Sequence, residues 1–301
     1  MRPAVIAFVR LGRPLFLGGG FLMYGLGAAI AAGTGHAIDM RRYALGQGVV
    51  IAFQLMTHYA NDYFDLEADR ANATPTRWSG GSRVLPGGVL PAGVALAAAR
   101  VLAGLGAVLA AALAIATREL AVAATCAAIG GLAWGYSAPP LRLCARGLGE
   151  LATAAVVTVL VPWLGFSLQA PELRGADLLA LSIVPLALLQ VAMLLAIEFP
   201  DAAGDAATGK RTLVVRLGPV RAARLYAIAV AAAYAWLPIA CALGWPSTVA
   251  LAAAVPLPLA LWRIARAGDH ADPAAHERFA LFAVMLLIGT GAAELAGWLA
   301  A

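Results

Sequence analysis

The chain is short of charge, of lysine and of cysteine. Only 12% of its 301 residues are charged, whereas 62% are hydrophobic; a soluble domain typically carries about 25% charged and about 45–50% apolar residues. That imbalance excludes a soluble globular enzyme, a disordered chain and a nucleic-acid binder of the usual kind. The surplus apolar surface has to face lipid. Cys126, Cys144 and Cys241 are odd in number and far apart, which excludes a disulfide framework or a thiolate metal site. Lys210 is the only lysine, although the net charge is +5.

What the chain has in quantity is long uncharged runs. A membrane helix needs about 20 apolar residues, because a helix rises about 1.5 Å per residue through a core about 30 Å thick. Runs of that size cover residues 14–35, 43–61, 120–141, 151–171 and 178–197, with others near 90–117, interrupted by Arg100, and near 278–299. The run 225–262 is too long for one helix and divides at the turn residues Gly244-Trp245-Pro246-Ser247. The expectation is an all-α, polytopic membrane protein: a single domain over 1–301, a bundle of nine transmembrane helices with a central apolar cavity capped by cytoplasmic loops. The stretch after the basic segment ending at Arg13 is long enough to span, so a retained first helix is expected rather than a cleaved leader. With the N-terminus inside, sixteen basic residues fall on cytoplasmic connections and four outside, as positive-inside topology requires. The expected location is the cell (inner) membrane, with the N-terminus and the long loops cytoplasmic.

Two connections, 62–89 and 198–224, are long, and long ordered loops tend to carry function. The first opens with Asn61-Asp62-Tyr63-Phe64-Asp65-Leu66-Glu67-Ala68-Asp69. If the preceding helix continues through it, Asp62, Asp65 and Asp69 share one face. The second opens with Asp201-Ala202-Ala203-Gly204-Asp205, with Gly209 four residues on. Like charges on one face repel unless a cation neutralises them, and all-oxygen ligands suit Mg2+, which takes one or two carboxylates together with phosphate oxygens. Arg77, Arg83, Lys210 and Arg211 accompany the acids and suit a diphosphate. In a membrane, that points to a lipid diphosphate such as a polyprenyl one.

The pair Asn61-Asp62-x-x-Asp65-x-x-x-Asp69 and Asp201-x-x-x-Asp205-x-x-x-Gly209 resembles the two aspartate-rich motifs of the UbiA-type intramembrane aromatic prenyltransferases. Gly209-Lys210-Arg211-Thr212-Leu213-Val214-Val215-Arg216-Leu217-Gly218 and Ser79-Gly80-Gly81-Ser82-Arg83-Val84-Leu85 are similar to segments of the 1,4-dihydroxy-2-naphthoate polyprenyltransferases. Tyr136-Ser137-Ala138-Pro139-Pro140 resembles the family's loop after the fourth helix, where a Tyr faces the site, and Arg13-Pro14 is familiar as the entry to the first helix. The resemblance implies Mg2+-dependent transfer of a polyprenyl group from a polyprenyl diphosphate to an aromatic acceptor, 1,4-dihydroxy-2-naphthoate first and 4-hydroxybenzoate as the alternative. It implies that Asp65, Asp69, Asp201 and Asp205 act through diphosphate-bound Mg2+, with Tyr136 near the reacting carbon. Asn61, Asp62, Arg77, Arg83, Lys210 and Arg211 would hold the diphosphate. Glu198, one turn before Asp201, either polarises the acceptor or is an interfacial acid.

Other features have plainer readings. A secondary transporter would place its ionisable residues near the bilayer midplane, whereas these lie at loop mouths. His58, one turn before the first motif, is expected to hydrogen-bond behind the site rather than ligate metal. Gly18-Gly19-Gly20 is expected to serve close helix packing. Trp163, Trp236, Trp245, Trp262 and Trp298 are expected as lipid or interface anchors. Arg100 is either an intramembrane charge or one that snorkels.

Overall fold

A computed structural model describes residues 3–300. Among them there are helices and turns and no strand. A short helix, α1 (Pro3–Leu11), precedes α2 (Pro14–Gly33), and Arg13 between them takes a left-handed conformation at φ 46° ahead of Pro14. Pro at the first helical position gives up a donor that has no intrahelical partner in any case. Helix α3 (Met40–Phe64) is N-capped by Asp39, which accepts the amides of Arg41 and Arg42 at 2.9 and 3.1 Å. The short α4 (Leu66–Ala71) follows, then α5 (Ala92–Thr117) and α6 (Leu120–Ser137). The next crossing combines α7 (Gly149–Thr153), a π-helical stretch (Ala154–Leu160) and α8 (Val161–Ser167). Pro162 offers no N–H to the Thr158 carbonyl and crowds it, and the wider π turns ahead of it accommodate the ring.

Helix α9 (Ala176–Glu198) leads into the second long loop, which holds α10 (Ala202–Ala207) and α11 (Leu213–Leu217). Helix α12 (Pro219–Ala242) ends at the expected turn, where Gly244 has φ 101°. The following crossing is broken at Pro256 into α13 (Ser247–Ala253) and α14 (Leu257–Ala265), bent by 44°. Helix α15 (His276–Ala300) closes the chain.

Among the described residues, seven helices are long and apolar enough to cross a membrane, and eight do so if the bent pair is one span. Helix α3 has 25 residues, about 37 Å by its rise. It misses that apolar standard because Gln47, Gln54, His58, Asn61 and Asp62 lie along it. It sits inside the bundle and packs against α5 and α6.

Lipid tails are as apolar as leucine, so helix association here rests on close packing. The tightest contact joins α2 to α8, where a Cβ built on Gly27 overlaps the Pro162 carbonyl oxygen and one on Gly165 overlaps that of Tyr24. The Gly18-Gly19-Gly20 run is not that contact: Gly18 faces open space, Gly19 has ordinary contact room, and only Gly20 abuts a side chain, Gln54. Trp245 and Trp298 are 2% and 4% exposed, so they are core residues rather than interface anchors, and the Trp245 indole donates to Ser182 Oγ at 3.0 Å. Val101, Val108 and Ile115 show the outer face of α5, and Arg100 is exposed beside them. Eight residues into α5, about 12 Å along its axis, Arg100 can send its long stem back to the surface.

An apolar cavity of about 420 Å³ lies between α3, α5 and α6. Alanines, Gly130 and Gly131 line it with Phe53, Met56 and Trp134. The first long loop is packed rather than loose: Val84 and Leu85 are buried in a small cluster with Leu11, Tyr59 and Ala95.

Gly165→Val is expected to destabilise the bundle by at least ~1–3 kcal/mol through overpacking, and Gly18→Ala to change little. Thermal unfolding of the two variants in detergent checks the contrast, and equal melting temperatures would contradict the assigned α2–α8 contact.

Candidate active site

Asn61 and Asp62 lie in the last turn of α3, Asp65 caps it, and Asp69 lies on α4. The helix therefore breaks at Asp65 rather than running through. The spacing survives, because the Asp65 amide donates to Asn61 O and the Asp69 amide to Asp65 O, each at 2.9 Å. The three acids nonetheless have different surroundings. Asp62 is 1% exposed and is taken up by Arg13 and by the hydroxyl and amide of Ser82. Asp65 Oδ2 accepts from Asn61 Nδ2 at 2.7 Å and from Lys210 Nζ at 2.8 Å. Asp69 keeps a buried Oδ2 with no hydrogen-bond partner. Gly80 and Gly81, both at φ 71°, bring the loop over it, and a Cβ on Gly81 would overlap that oxygen.

The second loop faces the first. Asp201 accepts from Asn72 Nδ2 at 2.6 Å and from the Gly80 amide at 3.2 Å. A Cβ on Gly204 would stand 2.9 Å from the Asn72 nitrogen, so α10 meets α4 backbone to backbone. Gly209, at φ 76°, turns the chain so that the Lys210 amide returns to the Asp205 carbonyl at 2.8 Å. Lys210 Nζ then lies 2.8 Å from Asp65 and 3.4 Å from Asp205. Asp205 Oδ2 is buried and unpartnered.

These walls enclose a polar cavity of about 80 Å³, lined by Asn61, Asp65, Asp69, Asp201, Asp205, Lys210 and Tyr136. Arg13, Trp78, Cys144, Leu194, Ile197 and Glu198 also line it. Tyr136 sits in the last turn of α6 rather than in the loop beyond it. Four other candidate site residues stand elsewhere. Asp62 lies behind the wall. Arg77 and Arg211 are exposed and do not line the cavity. Arg83, in a left-handed turn at φ 63°, directs its guanidinium to the Asp69 carbonyl oxygen. His58 is bonded at Nδ1 to the Gly12 carbonyl at 2.8 Å, behind the site. Sequence reasoning missed Arg13 as a site residue; it bonds Asn61 Oδ1 at 3.1 Å, and its only sequence signal is the Arg-Pro step into α2. Asn72 and Glu150 carry no motif at all.

Burial pushes Asp69 up to about 7, helped by Asp65, Asp62 and Asp201 and opposed by Arg13. Burial likewise raises Asp205 to about 6 against the pull of Lys210. Burial favours a neutral Lys210, but Asp65 and Asp205 beside it hold its ammonium well above the usual range. Among the described residues no three His, Cys, Asp or Glu side chains stand together as a ready metal site. The donors present still fit Mg2+. Asp69 and Asp205, each with one unpartnered oxygen, line one cavity from opposite loops, and Mg2+ typically completes its shell with substrate phosphate and water.

Raised carboxyl values mean that the folded state holds protons more tightly than the unfolded chain, whose carboxyls titrate near about 3.9. The stability this contributes is complete below about pH 4 and is lost as pH rises through about 6 to 7. Metal-free protein is therefore expected to melt at lower temperature at pH 8 than at pH 5.5. Mg2+ with pyrophosphate should raise the melting temperature more at pH 8, where the carboxylates are ionised. A pH-independent melt and an equal metal effect would contradict this electrostatic account.

Comparison with known proteins identifies the family. The model of the UbiA prenyltransferase family matches residues 21–298. A 1,4-dihydroxy-2-naphthoate octaprenyltransferase of Mycobacterium tuberculosis is 34% identical over 207 residues, covering 66% of this chain and 68% of that protein. Among solved structures, a digeranylgeranylglyceryl phosphate synthase superposes with a TM-score of 0.67 at 17% identity, covering 99% of both chains. A UbiA homologue from Archaeoglobus fulgidus, solved with DMAPP and Mg2+, gives 0.61 at 16% identity over 96% of this chain and 99% of that one. A UbiA homologue from Aeropyrum pernix gives 0.67 at 17% identity over 90% and 96%. These structures share the fold, and the family match spans nearly all of the chain. The protein belongs to the UbiA prenyltransferase family and is a membrane-helical prenyltransferase.

Proposed function

We propose that the enzyme transfers a polyprenyl group from a polyprenyl diphosphate to 1,4-dihydroxy-2-naphthoate, in menaquinone biosynthesis, with Mg2+ as cofactor. The observation that carries this reading is the convergence of two aspartate-rich loops on one small polar cavity, with a lysine between them. The acceptor follows the named activity of the mycobacterial relative. The donor and the metal follow the ligands of the archaeal homologue.

In this reading Asp69 and Asp205 hold Mg2+ together with diphosphate oxygens, while Asp65 and Asp201 orient Lys210 and the loop amides around them. Bound Mg2+ supplies positive charge that offsets the charge developing on the leaving diphosphate. Lys210 releases part of its ion pairing to Asp65 and Asp205 and bonds a diphosphate oxygen instead. As the allylic C–O bond breaks, the Tyr136 ring at the cavity wall stabilises the allylic cation. The electron-rich ring carbon attacks, the new C–C bond replaces the carboxylate, and CO₂ leaves. The walls exclude the water that would otherwise quench the cation. The apolar cavity between α3, α5 and α6 takes the prenyl chain, with Trp134 two residues before Tyr136 on α6.

The same reading takes α3 as a ninth crossing. The N-terminus and both aspartate loops then lie on the cytoplasmic face of the cell membrane, as the distribution of basic residues supports.

Asp65→Asn and Asp201→Asn are each expected to lower turnover more than ~100-fold; melting stays within a few degrees of wild type in Asp201→Asn and falls in Asp65→Asn, which takes a carboxylate from Lys210. Proteoliposomes supplied with geranylgeranyl and longer polyprenyl diphosphates, Mg2+, and either 1,4-dihydroxy-2-naphthoate or 4-hydroxybenzoate provide the assay, with products read by mass. A prenylated, decarboxylated naphthoquinol, lost on adding EDTA, is the expected product. Product from 4-hydroxybenzoate alone would change the acceptor. Wild-type turnover in both variants would overturn the assigned site.

A further inference from the structure

Two loops beside the polar cavity carry arginines that the site does not use. The loop 138–149 after α6 holds Arg142 and Arg146, and the return from the second aspartate motif, 208–224, holds Arg211, Arg216, Arg221 and Arg224. All six are exposed, and among the described residues none of them forms an ion pair. The loops touch: the Arg211 amide donates to the Ala145 carbonyl at 3.1 Å, and a Cβ on Gly147 would stand 2.6 Å from Arg216 Cδ. Arg146, Arg211 and Arg216 thus stand around Gly147, with Arg142 at the start of the turn that ends in Arg146. Arg146 gives one N–H to the Pro140 carbonyl at 2.8 Å. Neither loop contains an acid. At the opposite end of the crossing helices the arginines have acids for neighbours: Asp39 beside Arg41 and Arg42, Glu119 beside Arg118, Glu172 and Asp177 around Arg174.

Positive-inside topology accounts for a basic bias over a whole face. It does not remove every acid from two touching loops, nor does it place apolar side chains among the arginines. Leu141, Leu148 and Val220 are exposed on these same segments. Arginines interleaved with exposed aliphatic side chains at the ends of crossing helices match a leaflet surface, with the aliphatic groups among acyl chains and the guanidiniums at headgroup level. Arginine holds a phosphate through paired N–H donors. We propose that the patch binds the headgroup of an anionic phospholipid between Arg142, Arg146, Arg211 and Arg216, and that the bound lipid clamps the two loops together. Those loops also wall the polar cavity, through Cys144 on one and Lys210 and Thr212 on the other, so the headgroup steadies the site from outside it. The inference is independent of the acceptor and of the prenyl donor.

The test uses the full-length protein, without substrate, in nanodiscs of phosphatidylcholine alone or with phosphatidylglycerol added. Hydrogen–deuterium exchange is followed over 138–149 and 208–217, and the lipid retained by the protein is counted by native mass spectrometry. In wild type, phosphatidylglycerol is expected to be retained in preference to phosphatidylcholine and to slow exchange of both segments about five- to tenfold. The triple variant Arg142→Gln, Arg146→Gln, Arg216→Gln should lose both effects. The triple variant Arg142→Lys, Arg146→Lys, Arg216→Lys, which keeps the charge but not the paired donors, should retain part of each. Melting in phosphatidylcholine should be alike in all three proteins, since the substituted side chains are exposed. Wild-type retention of phosphatidylglycerol by the glutamine variant would overturn the inference, and so would preferential retention in wild type with no change in exchange. Equal slowing by pyrophosphate in phosphatidylcholine nanodiscs, lost in the glutamine variant, would assign the patch to a diphosphate and also overturn it. None of these readouts requires turnover, so failure of the transferase reading would leave the inference standing.

Discussion

Lys210 Nζ stands between Asp65 and Asp205, carboxylates on two loops 140 residues apart in the chain. Buried ions lose water, and removing one partner of such a contact leaves another charge uncompensated. The surrounding architecture answers that cost locally. Gly209 turns the chain so that the lysine can reach back, and Gly204 lets α10 approach α4 without a side chain between them. Asn61 supplies a second donor to Asp65, and Asn72 one to Asp201. Asp69 and Asp205 each retain one free oxygen. The cluster thus has enough positive charge to hold its loops together and too little to satisfy every carboxylate.

The bundle beneath supplies the rigidity. In lipid, apolar surface gains little by leaving the solvent, so the positions where backbones can touch decide the packing. Gly27 and Gly165 hold α2 against α8 at such a position. Helix α3 is the exception to apolar packing. Its polar residues line up toward the protein rather than toward lipid, and it delivers Asn61 and Asp62 to the mouth of the site.

Much of this was legible in the sequence because it is local. The spacing of Asp65 and Asp69, or of Asp201 and Asp205, is a helical-turn property, and it persists across the break at Asp65. Long uncharged runs mark spans by length alone. What was not legible depends on distant partners. Arg13 pairs with residues 48 and 49 positions away, and no pattern announces that. Arg83 follows the Gly-Gly turn as a diphosphate ligand would, but its own left-handed backbone sends it to a carbonyl. Trp245 and Trp298 near span ends read as anchors, although neighbouring helices cover them. Pro256 breaks a span whose composition gave little warning, because Pro162 and Pro185 are absorbed in theirs.

The walls of the cavity between α3, α5 and α6 are mostly alanine and glycine. Such residues have no side-chain rotamers to lose. A guest there meets surfaces that neither close upon it nor reorganise around it, so the entropy of ordering falls almost wholly on the guest's own rotatable bonds. For the proposed polyprenyl guest, each further isoprene unit would add apolar contact and torsions to be frozen in the same increment. Such a wall would set the length of that guest only weakly.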